Sequence, residues 1–173
     1  MSCVHILKGN QRRRRLEAKE YERVANMFMN SVYRVALNAC KSKADAEDIV
    51  QNTFEKLWKR DEQFIDDEHI KRWLIRVTIN DCNSLFRTAW KKRVISLDEV
   101  KELSFSTPEK SDVFYALEKL TLKEREIIHL YYYEEYSIKD IADIINLSQT
   151  AIQTRLYRAR NKLKEELKGK NHE

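Results

Sequence analysis

The segment from residue 137 to residue 164 most constrains the fold, because it has the pattern of two short helices joined by a tight turn. Ser137 and Ser148 can each cap a helix, since a serine hydroxyl accepts a backbone N–H bond that the first turn leaves unmade. Asn146 stands where the turn requires a left-handed backbone, which asparagine tolerates well. Apolar residues at spacings of three and four follow the caps: Ile138, Ile141, Ala142, Ile145 and Leu147, then Ile152, Leu156 and Ala159. The segment therefore predicts a helix-turn-helix.

The second of these helices leaves a polar and cationic face open. Amides and hydroxyls suit the edges of base pairs, and cations suit phosphates. The candidate contacts to duplex DNA are Ser148, Gln149, Thr150, Gln153, Thr154, Arg155, Tyr157 and Arg158. A solvated basic face on an ordinary helical hairpin is the alternative, but the caps, the turn and the apolar spacing together favour DNA contact.

The scarcity of helix breakers extends the helical prediction to the whole chain. Its 173 residues contain only two Gly and one Pro, well below ordinary usage. Charge then divides the chain: residues 1–95 hold 20 Lys and Arg against 13 Asp and Glu, residues 96–112 hold 2 against 5, and residues 113–173 hold 11 against 10. The middle segment also holds the only proline, Pro108. We therefore predict an all-α protein, with two small helical domains joined by a flexible acidic linker.

The composition also argues against several other classes of protein. No apolar run is long enough for a membrane span, and the start lacks the apolar core of a secretion signal, which predicts a cytoplasmic protein. Cys3, Cys40 and Cys82 are odd in number and widely spaced, as expected of reduced thiols. The histidines are scattered, so no metal site or cofactor is expected. With no glycine-rich phosphate loop and no paired nucleophile and base, the sequence does not indicate an enzyme.

A helix capped by Ser42 should bury Ala46, Val50, Phe54 and Leu57. Its other face is polar and acidic, with Asp45, Asp48, Gln51, Asn52 and Glu55. The spacing alone indicates only the solvent-exposed face of an amphipathic helix. Such a face can also dock on a basic partner through electrostatic complementarity.

A longer helix is predicted from about Asp67 to about Arg93, with an apolar side formed by Ile70, Trp73, Leu74, Val77 and Leu85. Five polar residues fall on one stripe of this helix: Arg72, Arg76, Asn80, Asn83 and Arg87. Arginine and asparagine can hold phosphates and bases, and Phe64 or Trp73 could stack on an unpaired base. Core packing is the more ordinary role for Trp73. The loop that contains Phe64 could form the rim of a pocket for a flipped base.

In this order the pieces resemble a bacterial RNA polymerase sigma factor of the extracytoplasmic-function group. Residues 45–54, DAEDIVQNTF, resemble the segment that grips the clamp helices of the polymerase, and residues 73–80, WLIRVTIN, resemble the start of the helix that melts and reads the −10 element. Residues 116–120, ALEKL, with 137–160, resemble the domain that reads the −35 element. The resemblance covers about residues 20–165.

The resemblance implies a division of the chain and a role for each face. Residues 1–19 would be a basic extension, 20–95 the region 2 domain, 96–112 the linker and 113–173 the region 4 domain. The acidic face from Asp45 to Glu55 would bind core polymerase. Phe64 and the stripe from Arg72 to Arg87 would bind the opened −10 strand, and the helix after Ser148 would bind the −35 duplex. An anti-sigma factor is a further expected partner.

The sequence departs from the family pattern at three positions, and two other functions are compatible with it. Asn52 stands where the family usually has an acid, Gln153 where it often has Lys or Arg, and Asn146 where it often has glycine, so the promoter sequence is not fixed. Arg12 to Arg15 lie outside the family core and have no assigned role. The alternatives are a dimeric helix-turn-helix regulator that binds palindromic duplex DNA alone, and a helical adaptor that binds only proteins.

Overall fold

The computed structural model describes residues 16–60, 64–95 and 112–169, and its regular structure in these ranges is entirely helical. The helices are α1 (Ala18–Cys40), α2 (Lys43–Lys59), α3 (Asp67–Ile95), α4 (Asp112–Glu118), α5 (Leu122–Tyr132), α6 (Ile138–Ile145) and α7 (Gln149–Gly169). The predicted all-α class is confirmed. The arginine run at 12–15 and linker residues 96–111 lie outside the described residues, whereas Asp112, predicted to end the linker, begins α4.

The predicted caps form. The hydroxyl of Ser42 accepts from the backbone N–H of Asp45 at 3.3 Å, and that of Ser137 accepts from Asp140 at 3.1 Å. Ser148 caps α7 in the same way, through the N–H of Ala151 at 3.2 Å. Asn146 ends α6 in the left-handed region with φ 54° and ψ 56°. These local contacts fix where α2, α6 and α7 begin and where α6 ends.

A capping box begins α5. The Thr121 hydroxyl accepts from the Glu124 backbone N–H at 3.4 Å, and the Glu124 carboxylate accepts from the Thr121 N–H at 2.9 Å. We expect Thr121→Ala to lower the free energy of unfolding by about 1 kcal/mol, since an orphan N–H loses its partner. Urea denaturation checks this. Thr154→Ala is the matched control, because the exposed Thr154 hydroxyl only donates to the Thr150 carbonyl within α7. Equal midpoints for the two variants would contradict the expectation.

Helices α1, α2 and α3 pack into an N-terminal half around two apolar clusters. One contains Val24, Val32, Phe54, Leu57 and Leu74. The other lies nearer the end of α1 and includes the thiols Cys40 and Cys82, whose sulfur atoms are 3.7 Å apart. Both thiols are free and buried, as the sequence predicts. Both clusters include residues of α3, so one side of this helix is buried in the N-terminal half.

Helices α4 to α7 form the C-terminal half, in which α7 packs on α4, α5 and α6. Ile141, Ile152, Leu156 and Ala159 are buried at the centre, as the spacing predicts. Ile144 is also buried, whereas Ile138 and Ile145 are only partly buried. The apolar side of α6 is thus rotated slightly from the predicted stripe, because α6 contacts α3 as well as α7.

The two halves pack against each other, and this changes the apolar side of α3. Ile75 and Ile79 of α3 and Val35 of α1 join the core of the C-terminal half. Ile75 is 0% exposed and Ile79 is 2% exposed, although neither belongs to the predicted apolar side. Leu85, which was assigned to that side, is 38% exposed, so this assignment is wrong. Helix α3 is therefore buried along two sides.

Candidate nucleic-acid and protein interfaces

The first candidate surface is the outer face of α7. Burial of Ile152, Leu156 and Ala159 turns the opposite side of the helix outward. The exposed residues are Gln149, Thr150, Gln153, Thr154, Tyr157 and Arg158. Tyr157 is 65% exposed. An open row of amides, hydroxyls and a guanidinium has the chemistry to contact base edges and phosphates.

Two residues of the predicted −35 set differ from the rest of this face. The Ser148 hydroxyl accepts a hydrogen bond from the backbone N–H of Ala151 and so caps α7. Arg155 is only partly exposed and lines a cleft of about 310 Å³ together with Asn83 and Arg87 of α3. The structure therefore brings Arg155 towards the predicted −10 set.

The same cleft contains a buried carboxyl group that sequence reasoning missed. Glu126 is 4% exposed, and its Oε1 atom has no hydrogen-bond partner within the described residues. Burial raises the pKa of Glu126 to about 7, although the charges of Lys123, Arg125 and Arg155 oppose this rise. An acid at this point of an amphipathic helix is expected at the surface, and no sequence pattern indicates its burial.

The second candidate surface is the polar stripe of α3. Arg76, Asn80 and Arg87 are exposed, and Arg72 and Asn83 are partly buried. The guanidinium of Arg76 donates to the carbonyl oxygen of Asp143 at 2.8 Å and to that of Ile144 at 3.3 Å. Arg72 pairs with Glu68 at 3.2 Å and with Asp140 at 3.3 Å. Helix α6 thus lies against the stripe, and a cleft of about 770 Å³ between them is lined by Arg72, Arg76 and Asn80.

Phe64 lies beside the N-terminal end of this stripe. Its ring meets Trp73 edge-on at a centroid distance of 5.6 Å and His69 at 5.4 Å. The guanidinium carbon of Arg60 is 4.9 Å from both the Phe64 and the Trp73 ring centroids. Trp73 is partly buried against the N-terminal core, in keeping with its packing role. Residues 61–63, which belong to the predicted pocket rim, lie outside the described residues.

The third candidate surface is the outward face of α2. Asp48, Gln51, Asn52 and Glu55 are exposed, and Asp45 is partly buried in the first turn. Glu55 pairs with Lys59 one turn later, and this hydrogen bond lowers the pKa of the Glu55 carboxyl. The face thus presents carboxylates and amides to solvent, which suits a basic protein surface better than nucleic acid.

Sequence reasoning also missed the polar residues that join the two halves. Glu134 accepts from Ser31 at 2.9 Å and pairs with Lys71 at 3.1 Å. Arg125 donates to the carbonyl oxygens of Asn38 and Ala39, each at 3.4 Å. These partners are far apart in sequence, so no local spacing could have indicated them.

The residues that the structure describes include no group of three His, Cys, Asp or Glu side chains placed to hold a metal ion. Over the same ranges, no helix has both the length and the apolar character that a bilayer crossing requires.

Comparisons with known proteins agree with the order of these surfaces. Residues 24–92 match the family model of Sigma-70 region 2, and residues 112–163 match that of Sigma-70, region 4. The chain is 31% identical over 151 residues to the ECF RNA polymerase sigma factor SigM of Bacillus subtilis, covering 83% of this chain and 92% of SigM. It is 30% identical over 130 residues to RNA polymerase sigma factor SigV of the same organism, covering 73% of this chain and 78% of SigV.

Solved structures show the same fold. The sigma factor RpoE of Bartonella quintana, in complex with the anti-sigma factor NepR, aligns with a TM-score of 0.76 and 25% identity over 87% of this chain and 98% of that one. CnrH, in complex with the cytosolic domain of CnrY, aligns with a TM-score of 0.65 and 23% identity over 88% of this chain and 90% of that one. The alternative of a stand-alone dimeric regulator has no support among these relatives. The chain belongs to the sigma-70 family of RNA polymerase sigma factors, in the extracytoplasmic-function group.

Proposed function

We propose that the chain is an alternative sigma factor that recruits core RNA polymerase to promoters by reading the −35 duplex and the opened −10 strand. Bond-making would belong to the polymerase, and the chain itself would act in the cytoplasm without catalysis. The observation that carries this proposal is the match of both sigma regions, in order, to two halves that each present a polar face.

The −35 role fits α7. The exposed face from Gln149 to Arg158 lies on the second helix of the helix-turn-helix, which is the helix that enters the major groove in this motif. Gln149 and Gln153 carry amides that can pair with an adenine edge, and Arg158 carries a guanidinium that can hold guanine or phosphate. Two glutamines in this face suggest that amide contacts contribute to the sequence preference.

The −10 role fits α3, which combines guanidinium and amide groups along one stripe. A single strand offers phosphates and unpaired base edges, and both can be held by Arg76, Asn80 and Asn83. Phe64 stands next to this stripe and offers an aromatic ring near its N-terminal end.

The polymerase role fits α2, whose exposed face carries Asp48 and Glu55 with amides between them. Charge complementarity with a basic surface would steer association and fix its register. Asn52 carries no charge, so an amide lies on this face between the carboxylates of Asp48 and Glu55.

An anti-sigma factor is a further proposed partner. Among the solved structures with this fold, the sigma factor RpoE is in complex with the anti-sigma factor NepR. Because an inhibitor that covers a sigma factor must compete with polymerase or promoter, its surface should overlap α2, α3 or α7.

The test needs no knowledge of the promoter. Purified chain should bind core RNA polymerase that lacks any sigma factor, and Asp48→Arg should weaken this binding at least about tenfold, since a cation would replace an anion at a complementary surface. Association can be measured by fluorescence anisotropy of labelled chain at several salt concentrations.

The matched control is Glu22→Arg. Glu22 is an exposed acid of α1 and does not belong to the outward face of α2, and the substitution makes the same change of charge. This variant should therefore bind like the unaltered chain. Equal binding by Asp48→Arg would remove α2 from the interface, and no binding by the unaltered chain at low salt would overturn the proposed function.

A further inference from the structure

In this structure α6 contacts two arginines of the α3 stripe that a nucleic-acid strand would use. Arg76 donates to two carbonyl oxygens in the last turn of α6, those of Asp143 and Ile144. Carbonyls in the last turn have no partner within the helix, and they carry the partial negative charge of the helix C-terminus. Arg72 faces a full negative charge on Asp140. The oxygens of α6 therefore satisfy the guanidinium groups as phosphate oxygens would.

Apolar residues of α3 next to the stripe also pack against the C-terminal half. Ile75 lies one residue from Arg76 and Ile79 one residue from Asn80, and both are almost completely buried in the core of the C-terminal half. If α6 moved away, these two side chains would lose their cover and meet water. Packing thus holds the side of α3 next to the stripe against the C-terminal half, while Arg76 and Asn80 of the stripe itself stay exposed beside α6.

Glu134 holds the same interface at the start of the α5–α6 connection. Its side chain is 2% exposed, and it contacts Ser31 at 2.9 Å, Arg34 at 3.2 Å and Lys71 at 3.1 Å, all in the N-terminal half. Burial opposes ionisation, but His129, whose Nε2 lies 3.8 Å away, and the closer partners Ser31 and Lys71 lower the pKa of Glu134 to about 2. One carboxylate thus joins α1 and α3 to the C-terminal half.

The two nucleic-acid faces differ in this arrangement. The outer face of α7, including Gln149, Gln153 and Tyr157, is open. The stripe of α3 instead faces α6 across the 770 Å³ cleft. A closed chain could therefore approach duplex DNA through α7, while α6 engages two guanidinium groups of its single-strand face, those of Arg72 and Arg76.

We infer that α6 is an internal competitor for the single strand that α3 binds, and that the contacts of Glu134 keep the free chain closed. The inference rests on the proposed −10 role of α3. It implies that the two halves must separate, or α6 must shift, before the strand can bind. A ligand that binds only the open form has a reduced apparent affinity. The reduction is in proportion to the fraction of molecules that are open.

The experiment uses the full-length chain and two measurements. Small-angle X-ray scattering gives the radius of gyration, and fluorescence anisotropy gives affinity for a labelled random pool of single-stranded DNA oligonucleotides at fixed salt. Glu134→Gln should enlarge the radius of gyration and strengthen strand binding about tenfold, because the open fraction rises. Adding Arg76→Ala to this variant should reverse the gain in binding but not the opening.

Glu135→Gln is the matched control. Glu135 is the next residue, is exposed, and undergoes the same loss of charge, so neither measurement should change. Ser31→Glu is a second opening variant that leaves the buried carboxylate intact. It places a new negative charge on the partly buried α1 site beside Glu134 and should act in the same direction.

Opening without a gain in strand binding would overturn the competition. Unchanged scattering in both Glu134→Gln and Ser31→Glu would overturn the role of Glu134, and an unaltered chain that already scatters as two separated halves would overturn the closed state. Failure of the proposed function would give a different result, because the unaltered chain would then not bind core polymerase.

Discussion

Leu156→Ala should destabilise the C-terminal half by about 3 kcal/mol, whereas Tyr157→Ala at the next position should change its stability by less than about 0.5 kcal/mol. Leu156 is 2% exposed and packs at the centre of the core shared by α5, α6 and α7, while Tyr157 is 65% exposed. Removing a buried leucine costs its transfer free energy and leaves a cavity. An exposed tyrosine has little to lose on truncation.

The same pair separates folding from recognition. If α7 reads the −35 element, Tyr157→Ala should retain its unfolding midpoint in urea yet lose promoter-directed transcription with core polymerase, by about tenfold or more. Leu156→Ala should lose both, because the reading helix is no longer supported. Transcription at unaltered levels by Tyr157→Ala would exclude that side chain from the interface, and an unchanged midpoint for Leu156→Ala would contradict the observed packing.

The helix-turn-helix could be predicted from sequence because its determinants are local. Ser137, Asn146 and Ser148 each act on a backbone group within three or four residues, and the apolar spacing within one helix reports which side is buried. The same is true of the capping box at Thr121 and of the α2 cap at Ser42. Order along the chain then sufficed to indicate the family.

The interface between the two halves could not be predicted in this way. Its polar contacts join residues about 70 to 100 positions apart, such as Arg76 with Asp143 and Ser31 with Glu134. A prediction from helical periodicity assumes that a helix has one buried side, whereas α3 has two. The predicted apolar side of α3 therefore does not include Ile75 and Ile79, which lie next to the charged stripe. The same assumption predicts Leu85 in the core, whereas it is 38% exposed.

The position of Arg76 shows why a cationic stripe alone does not define an occupied nucleic-acid site. Its guanidinium satisfies carbonyl oxygens of α6 in the free chain, yet the same donors have the geometry to hold phosphate oxygens. The sequence predicted which groups would bind oxygen, and the structure shows which oxygens they contact here. Promoter recognition by this stripe, as proposed above, would therefore require an exchange of partners.

Glu126→Gln should stabilise the fold at alkaline pH, by up to about 3 kcal/mol near pH 8. Burial raises the folded-state pKa of Glu126 from 4.5 to about 7. Between these two pKa values the folded chain retains a proton that the unfolded chain has released, so stability is greatest below about pH 4.5 and falls as the pH rises towards 7. Above about pH 7 a charged carboxylate must remain buried, and its Oε1 atom has no hydrogen-bond partner within the described residues.

Glutamine has nearly the same shape and cannot ionise, so the variant should lack this part of the pH dependence. Urea unfolding at about pH 5 and about pH 8 measures the difference, and titrations common to both proteins cancel. Glu165→Gln, at an exposed position of α7, is the control and should follow the unaltered chain at both pH values. If the curves for Glu126→Gln and the unaltered chain stay parallel, Glu126 is ionised without cost and its burial does not tune stability. A gap that opens with rising pH would instead mean that the cleft between α3 and α7 contains a carboxyl group that weakens the folded chain whenever it is charged.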